Sequence, residues 1–178
     1  MKIFISGGCK NGKSTLAENC AVSLAAGGPL YYIATMIPYD DEDRARIARH
    51  IEARAGKNFI TVERGRDIAG LLKECDPDGT YLLDSVTALM SNEMFPGPEP
   101  DMDSGGRVAA GLAEFAAGVK HAVFVSDFIY SSAEQYSDLT VEYCRALARC
   151  DRTLAEVCDA VAEVCAGTPL MYKGELPV

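Results

Sequence analysis

The stretch Gly7-Gly8-Cys9-Lys10-Asn11-Gly12-Lys13-Ser14 decides the fold of this 178-residue chain. It fits the pattern G-x-x-x-x-G-K-[S/T], follows the apolar run Lys2–Ser6 and precedes a segment with helical spacing. Glycines allow the backbone to curl so that successive N–H groups face one anion, and the start of the following helix adds positive potential. The motif therefore predicts a phosphate-binding loop between a buried strand and a helix, rather than a chance glycine turn.

Two side chains of this loop point to a nucleoside triphosphate bound with Mg²⁺. In loops of this pattern the lysine, here Lys13, reaches the β- and γ-phosphates, and the next hydroxyl, here Ser14, ligates the metal. A carboxylate at the end of a neighbouring strand would complete the metal site, and Asp84 follows the short apolar run Tyr81–Leu83. The same aspartate could instead cap the helix predicted after it, or serve both purposes.

Strands and helices alternate along the rest of the chain. Apolar runs predict strands over Lys2–Ser6, Leu30–Ala34, Phe59–Val62, Tyr81–Leu83 and Ala122–Ser126, and helical spacing predicts helices over Ser14–Ala26, Asp41–Ala55, Arg66–Glu74, Val86–Phe95, Val108–Val119 and Leu139–Cys158. Pro96–Gly106 is predicted to be a surface loop. Val161–Ala166 and Leu170–Tyr172 fit either two strands joined by a turn, or further helix and one strand.

This alternation predicts an α/β domain over residues 1–178. We expect the three-layer architecture of P-loop NTPases, with a mostly parallel sheet and helices on both faces. Ligands bind such sheets at the carboxyl ends of the strands. The phosphate-binding loop, Thr35 and Asp84 all follow predicted strands there.

Composition excludes several classes of partner and location. The net charge of -9 argues against nucleic acid, which is bound largely through surplus Lys and Arg. No apolar stretch reaches the ~18 residues of a membrane span, and the N-terminus does not resemble a signal peptide. The seven cysteines, one of them Cys9 in the loop, form no C-x-x-C pair and are interpreted as small buried hydrophobes. We therefore expect a soluble cytoplasmic protein.

Arg46, His50 and Arg54 are spaced four apart, so they should share one face of the predicted helix. Such a cationic stripe on an acidic chain fits a phosphate-facing surface, and histidine can attack phosphorus to form a covalent intermediate. The spacing alone fits a solvated basic face equally well.

The chain resembles the family of bifunctional adenosylcobinamide kinase / adenosylcobinamide-phosphate guanylyltransferases of cobalamin biosynthesis. The resemblance is carried by GGCKNGKS at 7–14, YIAT at 32–35, DDE at 40–42 leading into RIARHIEAR at 46–54, TVE at 61–63 and LLDSVTALMSN at 82–92. These segments cover roughly the first 95 residues. Many families share the phosphate-binding loop, and the combination with YIAT, R-I-x-x-H-x-x-x-R and T-V-E is more specific.

The resemblance implies a two-step activity on one chain. A nucleoside triphosphate, ATP or GTP, phosphorylates the aminopropanol hydroxyl of adenosylcobinamide, and GTP then donates GMP to that phosphate. In the family the guanylyl group passes through a histidine that matches His50, with Arg46 and Arg54 steadying phosphate charge. Further matching positions imply nucleotide contacts at Thr35, Ile51, Glu63 and Asp84, and the family implies a homotrimer.

Two segments depart from the family pattern. Ser126-Asp127-Phe128-Ile129-Tyr130-Ser131-Ser132 stands where the family has an N-E-V-G-x-G-like segment, and Arg145–Arg152 keeps little of R-D-x-x-G-x-x-N-Q, with Asp151 at the asparagine position. Two alternatives to the two-step cobinamide activity stay open. The chain could be a divergent P-loop kinase for another small molecule, or a non-catalytic nucleotide-binding module.

Overall fold

One seven-stranded sheet organises the chain. A computed structural model describes residues 1–130 and 135–178, with the backbone alone for Arg46, His50 and Ala53. The strands are β1 (Lys2–Gly7), β2 (Leu30–Ala34), β3 (Ile60–Glu63), β4 (Thr80–Asp84), β5 (His121–Asp127), β6 (Ala160–Cys165) and β7 (Thr168–Lys173). The helices are α1 (Lys13–Ala25), α2 (Asp41–Ala53), α3 (Val86–Met94), α4 (Ser104–Gly118) and α5 (Asp138–Val157), with a 3-10 helix at Ala69–Lys73.

The strands lie in the order β3-β2-β4-β5-β1-β6-β7, and every pair is parallel except β6 with β7. The predicted α/β class with a mostly parallel sheet is therefore confirmed. The two-strand alternative for the C-terminal segment is also confirmed, since β6 and β7 form an antiparallel hairpin. Strands β4 and β5 are almost continuously buried because helices cover both of their faces.

Two apolar clusters hold the layers together. On one face α1 packs Ala17, Cys20 and Ala21 against alternate residues of β1 and β5 such as Ile5 and Val123. On the other face α3, α4, α5 and the 3-10 helix enclose the larger cluster. Its large buried side chains include Phe4, Tyr81, Leu83, Leu89, Met90, Leu112, Phe115 and Phe124. Adjacent residues of a strand point into opposite clusters because side chains alternate between the two faces of a strand.

Helix α2 differs from the others in burying little of itself. Its sequence DEDRARIARHIEA carries few large apolar side chains, and its described side chains are mostly exposed. Asp40 caps its first turn by accepting from the Asp43 N–H at 2.8 Å, and three acidic residues follow in that turn, where the helix dipole favours negative charge. The helix follows the carboxyl end of β2, and its Arg44 and Ile47 line a cavity there.

Several predicted boundaries shift. The segment Arg66–Glu74 forms only the short 3-10 helix, and α4 begins at Ser104, inside the predicted loop Pro96–Gly106. Helix α2 ends at Ala53 instead of Ala55. No helix within residues 1–130 and 135–178 combines the length and apolar character needed to cross a bilayer.

A carboxylic acid lies in the interface between α5 and β5. Asp151 Oδ2 accepts a hydrogen bond from Tyr130 Oη at 2.7 Å, whereas Asp151 Oδ1 and the Ser126 hydroxyl are buried without a well-formed hydrogen bond within the described residues. Burial raises the pKa of Asp151 to about 6 from its usual value near 3.8. The Tyr130 and Ser126 hydroxyls oppose this increase, and the charge of Asp127 adds to it.

Asp151→Asn should make the folded state more stable at neutral pH. The folded protein binds a proton at Asp151 more tightly than the unfolded chain does, so wild-type stability should fall as pH rises from about 4 to about 6. Asparagine can still accept from Tyr130 and carries no charge. Chemical denaturation should show the variant more stable than wild type by up to about 3 kcal/mol above pH 6, and about equally stable near pH 4.

The matched control is Glu156→Gln, which changes an exposed carboxylate on the same helix. It should leave the difference from wild type nearly constant across this pH range. An Asp151→Asn effect of the same size at pH 4 and pH 8 would contradict the buried-charge explanation.

Candidate nucleotide site

The loop predicted to bind phosphate connects β1 directly to α1 and is strongly curved. Gly7, Lys10 and Gly12 have φ values of 154°, 54° and 92°, in a region that glycine enters without strain. A Cβ at Gly7 would lie 2.6 Å from the Val164 carbonyl oxygen, so this position has no room for a side chain. Cys9 and Lys10 are exposed at the outer rim.

Asn11 fastens the loop to β6. Its Nδ2 donates to the Val164 carbonyl at 2.5 Å, and its Oδ1 accepts from the Lys13 N–H at 3.2 Å. These bonds connect the loop to a strand that lies beside β1 in the sheet. The curvature is therefore supported by tertiary contacts as well as by the glycines.

Lys13 is buried beneath the loop and paired with a carboxylate. Its Nζ donates to the Gly8 carbonyl at 3.0 Å and lies 2.7 Å from Asp127 Oδ1. The exposed fractions of the two side chains are 9% and 20%. An ammonium group has three N–H donors, so one remains for a phosphate oxygen.

A cavity of about 510 Å³ opens beside Lys13, at the carboxyl ends of the strands. It brings together residues that the sequence suggested separately, namely Lys13, Ser14, Arg54, Glu63 and Asp84. Asp127 lines the cavity as well, together with Tyr32, Arg44 and Ile47 and the apolar segment Met36-Ile37-Pro38. The volume suits a small-molecule ligand.

Asp84 reaches the cavity from an unexpected strand. The sequence argument placed it on a neighbour of β1, but β5 lies between β1 and β4, so that part of the prediction is wrong. The capping alternative is wrong too, because Ser85 is the N-cap of α3 and accepts from the Ala88 N–H. Asp84 faces Tyr32, whose pKa is raised by burial first and then by the charge and hydrogen bond of Asp84.

Thr35 lies behind the cavity wall and is fully buried. Its hydroxyl donates to the Ser85 carbonyl at 2.9 Å and accepts from the Ser85 N–H at 2.8 Å. Asn92 Nδ2 donates to the Thr35 carbonyl at 2.7 Å and to the Gly65 carbonyl at 2.9 Å. The strand ends that carry Asp84 and Glu63 are thereby fixed relative to each other, and Thr35 can affect a ligand only through them.

Arg54 follows the last residue of α2 and folds back over the sheet. Its Cζ lies 3.4 Å from the centroid of the Tyr32 ring, a stacked cation–π contact. The residue is only 7% exposed, and its Nη1 is buried without a hydrogen-bond partner among the described residues. Burying a guanidinium N–H without a hydrogen-bond partner is costly, so Nη1 favours binding of an acceptor such as a phosphate oxygen.

The remaining predicted positions lie around α2. Arg46 and His50 belong to this helix, and the structure describes only the backbone of these two residues. Ile51 is exposed and lines a smaller depression of about 280 Å³ on the far side of Arg54. Glu63 is the last residue of β3 and lines the main cavity.

The charges lining the cavity are mixed. Within the described residues, Lys13, Arg44 and Arg54 oppose Glu63, Asp84 and Asp127. A triphosphate would therefore need a further cation. Ser14 and Asp84 offer a hydroxyl and a carboxylate facing one cavity, which is the donor set Mg²⁺ uses with phosphate oxygens and water. The described residues contain no cluster of His, Cys, Asp and Glu that could hold a metal without such help.

Sequence reasoning missed Asp127 as a site residue. It was noticed only as part of a segment that departs from a family pattern. A usable signal existed, because Asp127 directly follows the predicted strand Ala122–Ser126 as Asp84 follows Tyr81–Leu83. The strand order that brings Asp127 beside Lys13 was not predictable. Arg44 and Tyr32 were also missed. Arg44 lies between two of the family segments, and Tyr32 lies in YIAT at a position to which no ligand contact was assigned.

Comparisons with known proteins identify relatives over nearly the whole chain. Residues 3–172 match the family profile described as cobinamide kinase / cobinamide phosphate guanyltransferase. The bifunctional adenosylcobalamin biosynthesis protein CobP of Pseudomonas aeruginosa is 30% identical over 98% of this chain and 99% of its own length. The corresponding CobU of Escherichia coli is 34% identical, over 53% of this chain and 51% of its own length, so that match spans about half of each protein.

Solved structures agree on the fold. A solved ATPase domain has a TM-score of 0.54 at 9% identity, with 97% of this chain and 76% of that one covered. A KaiC-like protein, PH0186, from Pyrococcus horikoshii has a TM-score of 0.52 at 12% identity, covering 98% and 79%. With a P-loop NTPase fold and a family match from β1 to β7, the chain belongs to the cobinamide kinase / cobinamide phosphate guanyltransferase family.

Proposed function

We propose that this chain phosphorylates adenosylcobinamide and then transfers GMP from GTP to adenosylcobinamide phosphate, through a guanylyl group on His50. The observation that carries the proposal is the cavity in which Lys13, Ser14, Arg54, Glu63 and Asp84 meet. Family membership supports the two reactions, and the cavity supports a nucleotide with its phosphates on the loop.

In the first step the acceptor hydroxyl attacks the γ-phosphorus, and the bond to the bridging β–γ oxygen breaks. Lys13 lies where it can hold the β- and γ-phosphates. Ser14 and Asp84 would hold Mg²⁺, which supplies charge neutralisation on the phosphate oxygens when bound. The buried Arg54 guanidinium supplies further positive charge at the opposite side of the cavity.

In the second step an unprotonated imidazole nitrogen of His50 attacks the α-phosphorus of GTP, and pyrophosphate leaves. The phosphate of the acceptor then attacks the guanylyl group and releases His50, forming adenosylcobinamide-GDP. Helix α2 carries Ile47 in the cavity wall about one turn before His50, and Arg44 nearly two turns before it. Arg46, Arg54 and Ile51 are proposed to flank the reacting nucleotide on this side.

The wider arrangement is also part of the proposal. One sheet takes strands from residues 2 to 173, which supports a single domain over the chain. The homotrimer implied by the family resemblance stays a prediction, which sedimentation of the purified protein would test.

Lys13→Ala should strongly slow transfer from the triphosphate in both steps. Loss of the ammonium removes charge stabilisation at the β- and γ-phosphates, which is worth on the order of 10²–10³ in rate. Transfer of γ-labelled and α-labelled phosphate to the acceptors measures each step. Lys73→Ala, which removes an exposed lysine of the 3-10 helix, should keep wild-type rates. A wild-type rate of either transfer in Lys13→Ala would contradict the proposal that the triphosphate binds at Lys13.

His50→Ala should remove guanylyl transfer while leaving GTP affinity within a few-fold of wild type. Wild-type protein incubated with α-labelled GTP should retain acid-labile label, and adenosylcobinamide phosphate should release it as product. Glu52→Ala replaces an exposed residue of the same helix, and this variant should retain as much α-label as wild type. Equal loss of labelling and of GTP binding in His50→Ala would argue against a nucleophilic role.

The same assays separate the alternatives. Transfer of γ-phosphate without α-label on the protein would indicate a kinase alone. Tight nucleotide binding without turnover on any acceptor would indicate a non-catalytic binding module.

A further inference from the structure

Asp127 is a carboxylate held directly beside the phosphate-binding loop. Strand β5 pairs directly with β1, and the register sets Asp127 opposite Gly7, the first residue of the loop. The Phe128 N–H donates to the Gly7 carbonyl at 2.9 Å, which continues this pairing one residue further. The Asp127 backbone therefore lies about one strand spacing, roughly 5 Å, from the start of the loop.

The neighbouring helices fix this strand end. The Asp127 N–H donates to Thr87 Oγ1 at 2.9 Å, and the Thr87 carbonyl accepts from Tyr143 Oη at 2.9 Å. These bonds join β5 to α3 and α5. Asp127 is thus positioned by backbone contacts that do not depend on its own carboxylate.

A carboxylate beside a phosphate site requires an explanation, because phosphate oxygens are also negatively charged and repel it. Two anions can stay in contact only when a cation or a proton lies between them. Lys13 supplies the cation at Asp127 Oδ1. Within the described residues no second partner donates to this carboxylate, so Oδ2 can accept a proton from a ligand.

The other acids of the cavity are less suited to that task. Asp84 lies two strands away from β1, faces Tyr32 and is proposed to serve the metal. Glu63 lies further still, at the end of the edge strand β3. In the proposed binding mode Lys13 holds the γ-phosphate, and Asp127 is the acid that contacts Lys13.

We propose that Asp127 is the general base of the phosphoryl-transfer step. The assignment rests on the kinase activity proposed above. When the triphosphate binds, Lys13 shares its charge between Asp127 and the γ-phosphate, and the acceptor hydroxyl approaches between them. The O–H bond breaks with its proton going to the Asp127 carboxylate, the O–P bond forms, and the β–γ bridging P–O bond breaks with its electron pair leaving on the nucleoside diphosphate. The proton then passes from Asp127 to solvent.

Asp127→Asn in the full-length protein tests the assignment, since asparagine has nearly the same shape and accepts no proton. Phosphorylation of adenosylcobinamide should lose on the order of 10²–10⁴ in kcat. The Kd for the triphosphate should be unchanged or lower, because Lys13 loses a competing anion. Guanylyl transfer to adenosylcobinamide phosphate needs no deprotonation of an alcohol, so its rate should stay within a few-fold of wild type.

Asp103→Asn is the matched control, because Asp103 is exposed at the start of α4 and its side chain makes no cap hydrogen bond. It should leave all three quantities unchanged. A phosphorylation kcat of Asp127→Asn within about three-fold of wild type would overturn the proposal and leave Asp127 as an ion-pair partner. Equal loss of both transfer reactions, with a raised Mg²⁺ requirement, would overturn it in favour of a metal ligand.

Failure of the proposed function would be seen separately. If wild-type protein does not phosphorylate adenosylcobinamide, slow hydrolysis of the triphosphate still measures the same step with water as the acceptor. Loss of that hydrolysis in Asp127→Asn, with triphosphate affinity kept, would support the base. Unchanged hydrolysis would overturn it.

Discussion

The parallel pairing of β1 with β5 and β6 is the constraint on which the site depends. It sets Gly7 opposite Asp127 on one side and Val164 on the other. The loop after Gly7 can then bond to β6 through Asn11, while Lys13 turns beneath it to Asp127. Because β5 is buried on both faces, a slip by one residue would move each of its side chains from one apolar cluster to the other.

The loop and the cavity wall are built in different ways. Backbone bonds and small residues shape the phosphate cradle, which suits an anion that presents several equivalent oxygens. The opposite wall uses a few buried polar side chains, with Arg54 stacked on Tyr32 and Thr35 and Asn92 joining the strand ends. The bonds of Thr35 and Asn92 make these strand ends rigid, so Asp84 and Glu63 are held in place before any ligand arrives.

The two segments that depart from the family pattern begin at the end of β5 and lie within α5, respectively. Tyr130 and Asp151 both lie in departing segments, and they bond to each other. The departures also reach the nucleotide site, since Asp127 contacts Lys13. The loop, Thr35, Arg54, Glu63 and Asp84 lie in the segments that carry the family resemblance.

The sequence by itself determined the phosphate-binding loop, the α/β class, the positions of most strands and the choice of Lys13, Ser14, Arg54, Glu63 and Asp84 as candidate site residues. Those features follow from local spacing, from glycine at positions of positive φ, from the family motifs, and from the rule that ligands gather at the carboxyl ends of parallel strands. Only the tertiary structure decided that β5 enters between β1 and β4, that Asp127 therefore meets Lys13, and that Thr35 turns inward. The order of strands in a parallel sheet depends on where each crossover returns, a contact between distant parts of the chain that local periodicity does not encode.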